Sequence, residues 1–591
     1  MNLPSRLSSL ESAGLVKLAA LQPEVEYLFR HALIQDAAYV SLVKADRRAL
    51  HRAVAETLER LYPQRREALA PRLAQHFLEA NEDRRACEYF TLAGDVAARV
   101  YANAEAAAHY AEALRLAHRL QIDRDHWLHL YLSRGQALEL NAQYDEALAN
   151  YAELQTLADR RHDQALLLGA VMALAKIYST TTPAHDPKRA QLLLEQALAL
   201  THELNDRATE SKVLWNLMVL NVFSVGDMQQ AMAYGEQSLA IARELGLKEQ
   251  LAFTLNDLVY AYTATTHIDE ASAALEESRQ LWRELGNLPM LSNNLTNSSI
   301  ASFRLGDYDQ SIAYSEEAYR ISQSIDNIWG QASSRFLAGY VYFERGEIDR
   351  AIEIMQESTR LGERVGHPFA YLTAPSDLGW VYGSLGAIDR GLELAHLALQ
   401  RADEMSPELA KPWVSGNLAR LHILNHDLDS ADRALQTGRQ MLRADSLQLL
   451  ALILIPLAEG ELALARGDHQ QAIAAIDQLI ESLHKGRWQA FVAEALIVKG
   501  RALLGLDQID AAYQVFSLAR VQAEALNSRR TLWPILLALR EIERDGALAR
   551  SWLGQARTII AYIADYIGDS DLRAAFLDLP AVRAVHNDAS S

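Results

Sequence analysis

The sequence predicts an all-α solenoid, a stack of helix pairs each about forty residues long, preceded by a small mixed segment. Three observations predict it. The 591 residues exceed what one hydrophobic core organises, so the chain is either several domains or an array that grows by stacking. Half of the residues are apolar, yet only 7% are aromatic and 14 are proline, an inventory that favours helix over strand. One segment pattern also recurs at a steady interval along most of the chain.

The recurrence is plainest in the middle. GDYDQSIAYSEEAYRIS from Gly306 returns as GEIDRAIEIMQESTRLG from Gly346 and GAIDRGLELAHLALQRA from Gly386. Each copy has a turn residue, an apolar residue two on, a carboxylate three on and a small residue five on, namely Ser311, Ala351 and Gly391. The register extends back through Thr266, Gly226, His185 and Ala142, and forward through His426, Gly467 and Asp507, in steps of about forty residues.

Each unit reads as two helices. The turn residue ends one helix, and the acidic or amide residue at the third position lies in the first turn of the next, at the positive end of its dipole. An apolar pattern such as Ile312, Tyr314, Ala318 and Ile321 then marks one buried face. The small residue at the fifth position lets two helix axes approach. In the preceding helix a small residue stands seven before the turn (Ser299, Gly339, Gly379, Ala419, Gly460, Gly500), and an aromatic one stands four before it in Tyr262, Tyr342 and Tyr382.

This L-G-x-x-Y pattern followed by G-x-Φ-D-x-A resembles the tetratricopeptide family, with a unit about six residues longer than usual. The length is similar to the extended repeats of bacterial signalling ATPases and of maltose-activator-type transcription regulators, over roughly residues 80–567. It implies a right-handed superhelix that binds partners. The expected division is 1–62 a partial winged-helix segment, 63–124 an irregular helical linker with the first helix pairs, 125–567 the superhelix, and 568–591 a capping helix and polar tail.

The amino-terminal segment does not fit the period. It predicts a short helix ended by Gly14, two short strands around Gln22-Pro23, and two helices. That order, with the run F-R-H-A-L-I-Q-D-A-A-Y at Phe29 to Tyr39, resembles the end of the winged-helix subdomain in signal-transduction ATPases with numerous domains. The resemblance implies that His31 corresponds to a histidine that contacts the β-phosphate of ADP. No G-x-x-x-x-G-K-[ST] loop occurs in the sequence, so the phosphate cradle such a role needs is missing and His31 is expected to be structural. The chain thus looks like the carboxyl-terminal part of such an ATPase. At the other end, Asp571 to Val585 resembles the closing helix of cyclase-linked and kinase-linked members. There Leu572, Phe576, Leu577 and Leu579 are expected to cover the open face of the last repeat.

The net charge of −19 argues against nucleic-acid binding, which draws its affinity from concentrated Lys and Arg. No helix-turn-helix pattern follows Val585. The absence of a signal-peptide core, and the brevity of the apolar run 449–458, predict a cytoplasmic protein. Catalytic and metal patterns are missing. The closest histidine pairs, His126 with His129 and His422 with His426, have no third ligand at a sensible spacing, and Cys87 reads as a small hydrophobe on an amphipathic helix. We expect no enzyme and no cofactor.

Function is therefore expected on the concave wall. Positions about thirteen, ten and six before each turn share one helical face. They are Asn256 and Tyr260; Asn293, Thr296 and Ile300; Ser333, Phe336 and Tyr340; Thr373, Ser376 and Trp380; Trp413 and Arg420. The six-before column, Tyr260, Ile300, Tyr340, Trp380 and Arg420, would form a ladder suited to a protein or peptide partner. Two alternatives stand beside that reading: a small-molecule effector in the same groove, or a regulatory part of an ATPase or cyclase.

Overall fold

The structure, a computed structural model, describes residues 3–20, 26–180, 182–335, 337–367, 369–405, 407–442 and 451–587. The residues that mark the period end their helices by entering the left-handed region. Gly226, Gly306, Gly346, Gly386 and Gly467 have φ of 84°, 81°, 77°, 93° and 78°, and Ala142, Thr266, His426 and Asp507 do the same with φ between 57° and 64°. The residue directly after the turn then caps the next helix. Asp227, Asp307, Asp427 and Asp468 each accept the N–H three residues on, at 3.0 to 3.2 Å. Asp309, Asp349 and Asp389, the third-position carboxylates, lie in the first turn as expected.

The chain divides into two compact units, 1–206 and 207–591. In the first, helix Leu3–Ser12 precedes strands Val16–Ala20 and Glu26–Phe29, which pair antiparallel with Val16 opposite Phe29. The connecting residues, Gln22-Pro23 among them, lie outside the described residues. Helices Ala32–Ser41 and Lys44–Leu61 follow. A two-stranded hairpin with flanking helices does not by itself define a winged helix. Consecutive helices pack pairwise from Arg66–Glu79 onward, so the stretch expected to be irregular is regular from that point. Phe77, Tyr89, Tyr110, Trp127 and Tyr151 fill the space between the layers.

In the second unit, the small residues meet across each pair. An added Cβ on Gly379 would lie 2.6 Å from the Gly391 carbonyl oxygen, and one on Gly391 would lie 2.6 Å from the Gly379 carbonyl oxygen. Two units earlier, serine replaces glycine at both places. Ser299 Oγ donates to the Ser311 carbonyl at 2.8 Å, and Ser311 Oγ donates back to the Ser299 carbonyl at 2.9 Å. A hydroxyl is tolerated there because its hydrogen bond goes to the facing backbone.

Among the described residues, two first helices of the pairs carry a π turn. Helix Arg207–Leu220 widens at Asn221–Val225. A π turn at Phe369–Thr373 also precedes Ala374–Ser384. The last has a local cause. Pro375 lacks the N–H that the Tyr371 carbonyl would accept, and Arg401 Nη1 donates to that carbonyl instead, at 3.4 Å.

The second unit coils until it meets itself. Residues 179 to 219 apart in sequence touch, as with Arg390 and Asp569 or Gly568 and Asp349, which makes one turn of the coil about five repeats long. Backbone takes part. Gln489 N–H donates to the Arg304 carbonyl at 2.8 Å, and Asp349 N–H to the Tyr566 carbonyl at 3.0 Å. The contact adds a second reason for glycine at three turns. A Cβ on Gly306, Gly346 or Gly386 would collide with Leu526, Ile563 or the Ala575 carbonyl, whereas Gly467, away from this seam, has open space beside it. Leu572 and Phe576 are buried at the end of this coil, and Phe576 meets Trp533 edge-on.

Candidate functional site

Four residues of the six-before column line cavities that residues of later repeats help to close. Tyr260 and Ile300 line a small cavity of about 50 Å³ closed by Trp488, some two hundred residues on. Trp380 and Arg420 line a chamber of about 480 Å³ whose other side comes from Glu494, Arg530 and Pro534. Tyr340 sits between the two and is 4% exposed. The ladder was expected to be an open surface; for Tyr340, Trp380 and Arg420 the structure places it under the chain's own later helices.

The predicted residues fall into two groups. Asn293 is exposed, and Tyr260 and Ser333 are half-buried. Asn256 is buried and donates from Nδ2 to Asn293 Oδ1 at 3.0 Å and to Asp257 Oδ1 at 3.1 Å, while Tyr260 donates from its hydroxyl to Asn297 Oδ1 at 3.1 Å. Ser333 Oγ donates to the Trp329 carbonyl. Thr373 is buried, with Oγ1 donating to the Phe369 carbonyl at 2.8 Å inside the π turn. Phe336 lies outside the described residues. His31 is exposed at the start of Ala32–Ser41, and its side chain does not cap that helix.

Two polar clusters organise the covered wall. In the first, Asp377 is buried and its Oδ1 accepts from the Tyr340 hydroxyl at 2.6 Å, Trp413 Nε1 at 2.8 Å and Asn417 Nδ2 at 2.8 Å. Burial pushes the Asp377 carboxyl up to about 7 even though these three bonds favour its charged form. A similar but less enclosed arrangement holds Asp257, which accepts from Trp215 Nε1 at 2.9 Å and is raised to about 6, again by burial.

The second cluster is ionic. Arg420, stacked with its guanidinium 3.7 Å from the Trp380 ring centre, donates from Nε and Nη2 to both oxygens of Glu461 at 2.9 Å, and from Nη2 to Glu494 at 2.6 Å. Arg530 joins Glu494 at 2.9 and 3.0 Å and reaches Glu344 at 2.8 Å. Burial alone would raise the Glu494 carboxyl, but Arg420 and Arg530 outweigh it and hold it well below the usual carboxylate range. Burial would lower both guanidiniums, and the carboxylates outweigh that too, so Arg420, Arg530 and Glu494 stay charged.

Asp377, Asn417, Glu461, Glu494 and Arg530 were not among the residues singled out from sequence. A signal existed. Nine before the turn, Asp257, Asn297, Asp377 and Asn417 recur in a helix that is otherwise buried, and the six-before column continues past Arg420 as Glu461 and Arg501. Elsewhere, Cys87 is buried against the Ala113 carbonyl, and desolvation raises its thiol to about 11, in keeping with a packing role. His126 bonds Asp123 and His129 bonds Asp95. Among the described residues no three potential metal ligands converge. Likewise no helix there is long and apolar enough to cross a membrane.

No protein-family model matches the sequence, and no curated protein matches it. Solved structures do resemble it in shape. The APC/C hetero-tetramer Cut9-Hcn1 is 15% identical with a TM-score of 0.44, over 94% of this chain and 98% of that one. A Rap protein complexed with competence and sporulation factor is 13% identical with a TM-score of 0.42, over 60% and 98%. A signal transduction ATPase with numerous domains that carries a tetratricopeptide repeat sensor, from Pyrococcus horikoshii, is 14% identical with a TM-score of 0.39, over 63% and 60%. At these scores the likeness carries no argument about function. The helix-pair solenoid rests on the chain's own repeat and geometry.

Proposed function

We propose that the chain is a binding and regulatory scaffold of cytoplasmic signal transduction, not an enzyme, and that a protein or peptide partner docks on the inner wall of the unit 207–591. The observation that carries this reading is the wall itself. Successive first helices set amide, hydroxyl, indole and guanidinium groups on one face, which gives an extended backbone donors and acceptors beside flat apolar surface. Entry falls to the stretch around Asn293 and Ser333, because Tyr260 and the stretch from Tyr340 to Arg420 already face residues from later repeats. A partner longer than that stretch must displace the later turn.

A photo-crosslinking amino acid at Asn293 or Ser333 should capture the partner, and the same group at Gln280, exposed on the second helix Ile268–Leu285, should not. Equal capture at all three positions would refute the wall as the site. A second reading, a small effector, is favoured by one observation, the 480 Å³ chamber.

A further inference from the structure

Beyond the docking of a macromolecule on the open stretch, we propose that the chamber on the inner wall of the unit 207–591, lined by successive repeats from Trp380 to Pro534, binds a small organic carboxylate with an apolar body. Its volume, about 480 Å³, falls within the range of small-ligand sites. Seven of its fifteen lining residues are aliphatic, with Ile423 and Leu424 from one repeat, Leu464 and Ile497 from the following two, and Pro534 beyond. That surface selects an apolar body.

The charges select the head group. Three guanidiniums line the chamber, those of Arg420, Arg501 and Arg530, against two carboxylates, Glu461 and Glu494. Both carboxylates are already engaged. Glu461 receives two bonds from Arg420, and Glu494 receives Arg420 on Oε1 and Arg530 on both oxygens. Glu344 lies outside the lining and is satisfied by Arg530 and Ser528. An amine entering the chamber would therefore meet only carboxylates whose charge Arg420 and Arg530 already neutralise.

Arg501 carries the one unpaired positive charge of the lining. It occupies the six-before position of its repeat, so Arg420, Glu461 and Arg501 stand in succession on one wall, and the first two pair with each other. Arg501 is exposed and has no ion-pair or hydrogen-bond partner among the described residues. The bonds of Arg420 use Nε and Nη2, leaving Nη1 as a second donor. One carboxylate satisfies one unpaired guanidinium, whereas a dianion would stay half-neutralised.

The probe is octanoate, titrated calorimetrically into the full chain, with octanamide and octylamine as controls. We expect saturable one-to-one binding of octanoate, at least about tenfold weaker binding of octanamide and none of octylamine. Arg501→Gln should weaken octanoate by about tenfold or more while the unliganded melting temperature stays the same, because the side chain is exposed and unpaired. No saturable heat with octanoate, equal binding of the amide, or unaltered affinity in Arg501→Gln would each overturn the proposal. Partner capture at Asn293 is a separate readout that Arg501→Gln leaves intact, so the two proposals fail independently.

Discussion

Asp377 accepts hydrogen bonds from three side chains, and yet burial pushes its carboxyl up to about 7. Its value in the folded chain lies above that in the unfolded chain, so its contribution to stability is fullest below about pH 4 and is lost as pH rises to about 7. The displacement corresponds to roughly 4 kcal/mol at most. Asp377→Asn removes that titration. Its melting temperature should therefore gain on the wild type between pH 4 and pH 8, and parallel melting curves across that range would count against the assignment. The ionic cluster behaves differently, since each charge there has opposite partners. Arg530→Ala should cost about 3–5 kcal/mol in denaturant unfolding, because Glu344 and Glu494 are left buried with too few donors. Tyr340→Ala should cost about 3–5 kcal/mol as a core truncation. A fold unaffected by that change would mean that Tyr340 faces solvent. The sequence places these residues on one wall through their offsets from the turn, but it does not say whether the wall is open. That depends on a helix some two hundred residues further on, which no local spacing encodes.

Helices were legible where the backbone itself was constrained. The left-handed turn residues, the Asp caps after them and the small residues at the helix crossings each answer a local requirement, so the period could be read directly. The π turn before Ala374–Ser384 could not, because it depends on which side chain arrives to take a freed carbonyl, as Arg401 does for Tyr371. The two kinds of glycine separate by measurement. Gly379→Ala should cost about 1–3 kcal/mol through overpacking against the Gly391 carbonyl, in a helix where alanine is otherwise preferred. Gly467→Ala has room and should cost only the left-handed strain, about 1–2 kcal/mol. Urea unfolding of both variants checks the ranking. A Gly379→Ala chain as stable as wild type would show that the two helices do not approach so closely.

The unit 207–591 is a coil whose second turn rests on its first, and this has consequences for how it can bind. Surface ion pairs between the turns, such as Asp269 with Arg487 and Arg390 with Asp569, are exposed and contribute about 0–1 kcal/mol each. The main stabilisation comes from the buried seam of Trp488, Glu494 and Arg530 over the inner wall. Opening the coil would expose that seam, so a macromolecular partner must supply equivalent contacts, whereas a small molecule in the chamber need not open it. The central claim is that the inner wall is closed by the chain's own next turn. It is tested most directly by nitroxide labels on cysteines at Asp269 and Arg487, in a Cys87→Ser background, with the distance read by pulsed electron paramagnetic resonance. A closed coil gives a single narrow distribution at the short limit of the method. A broad distribution at long distances would contradict it.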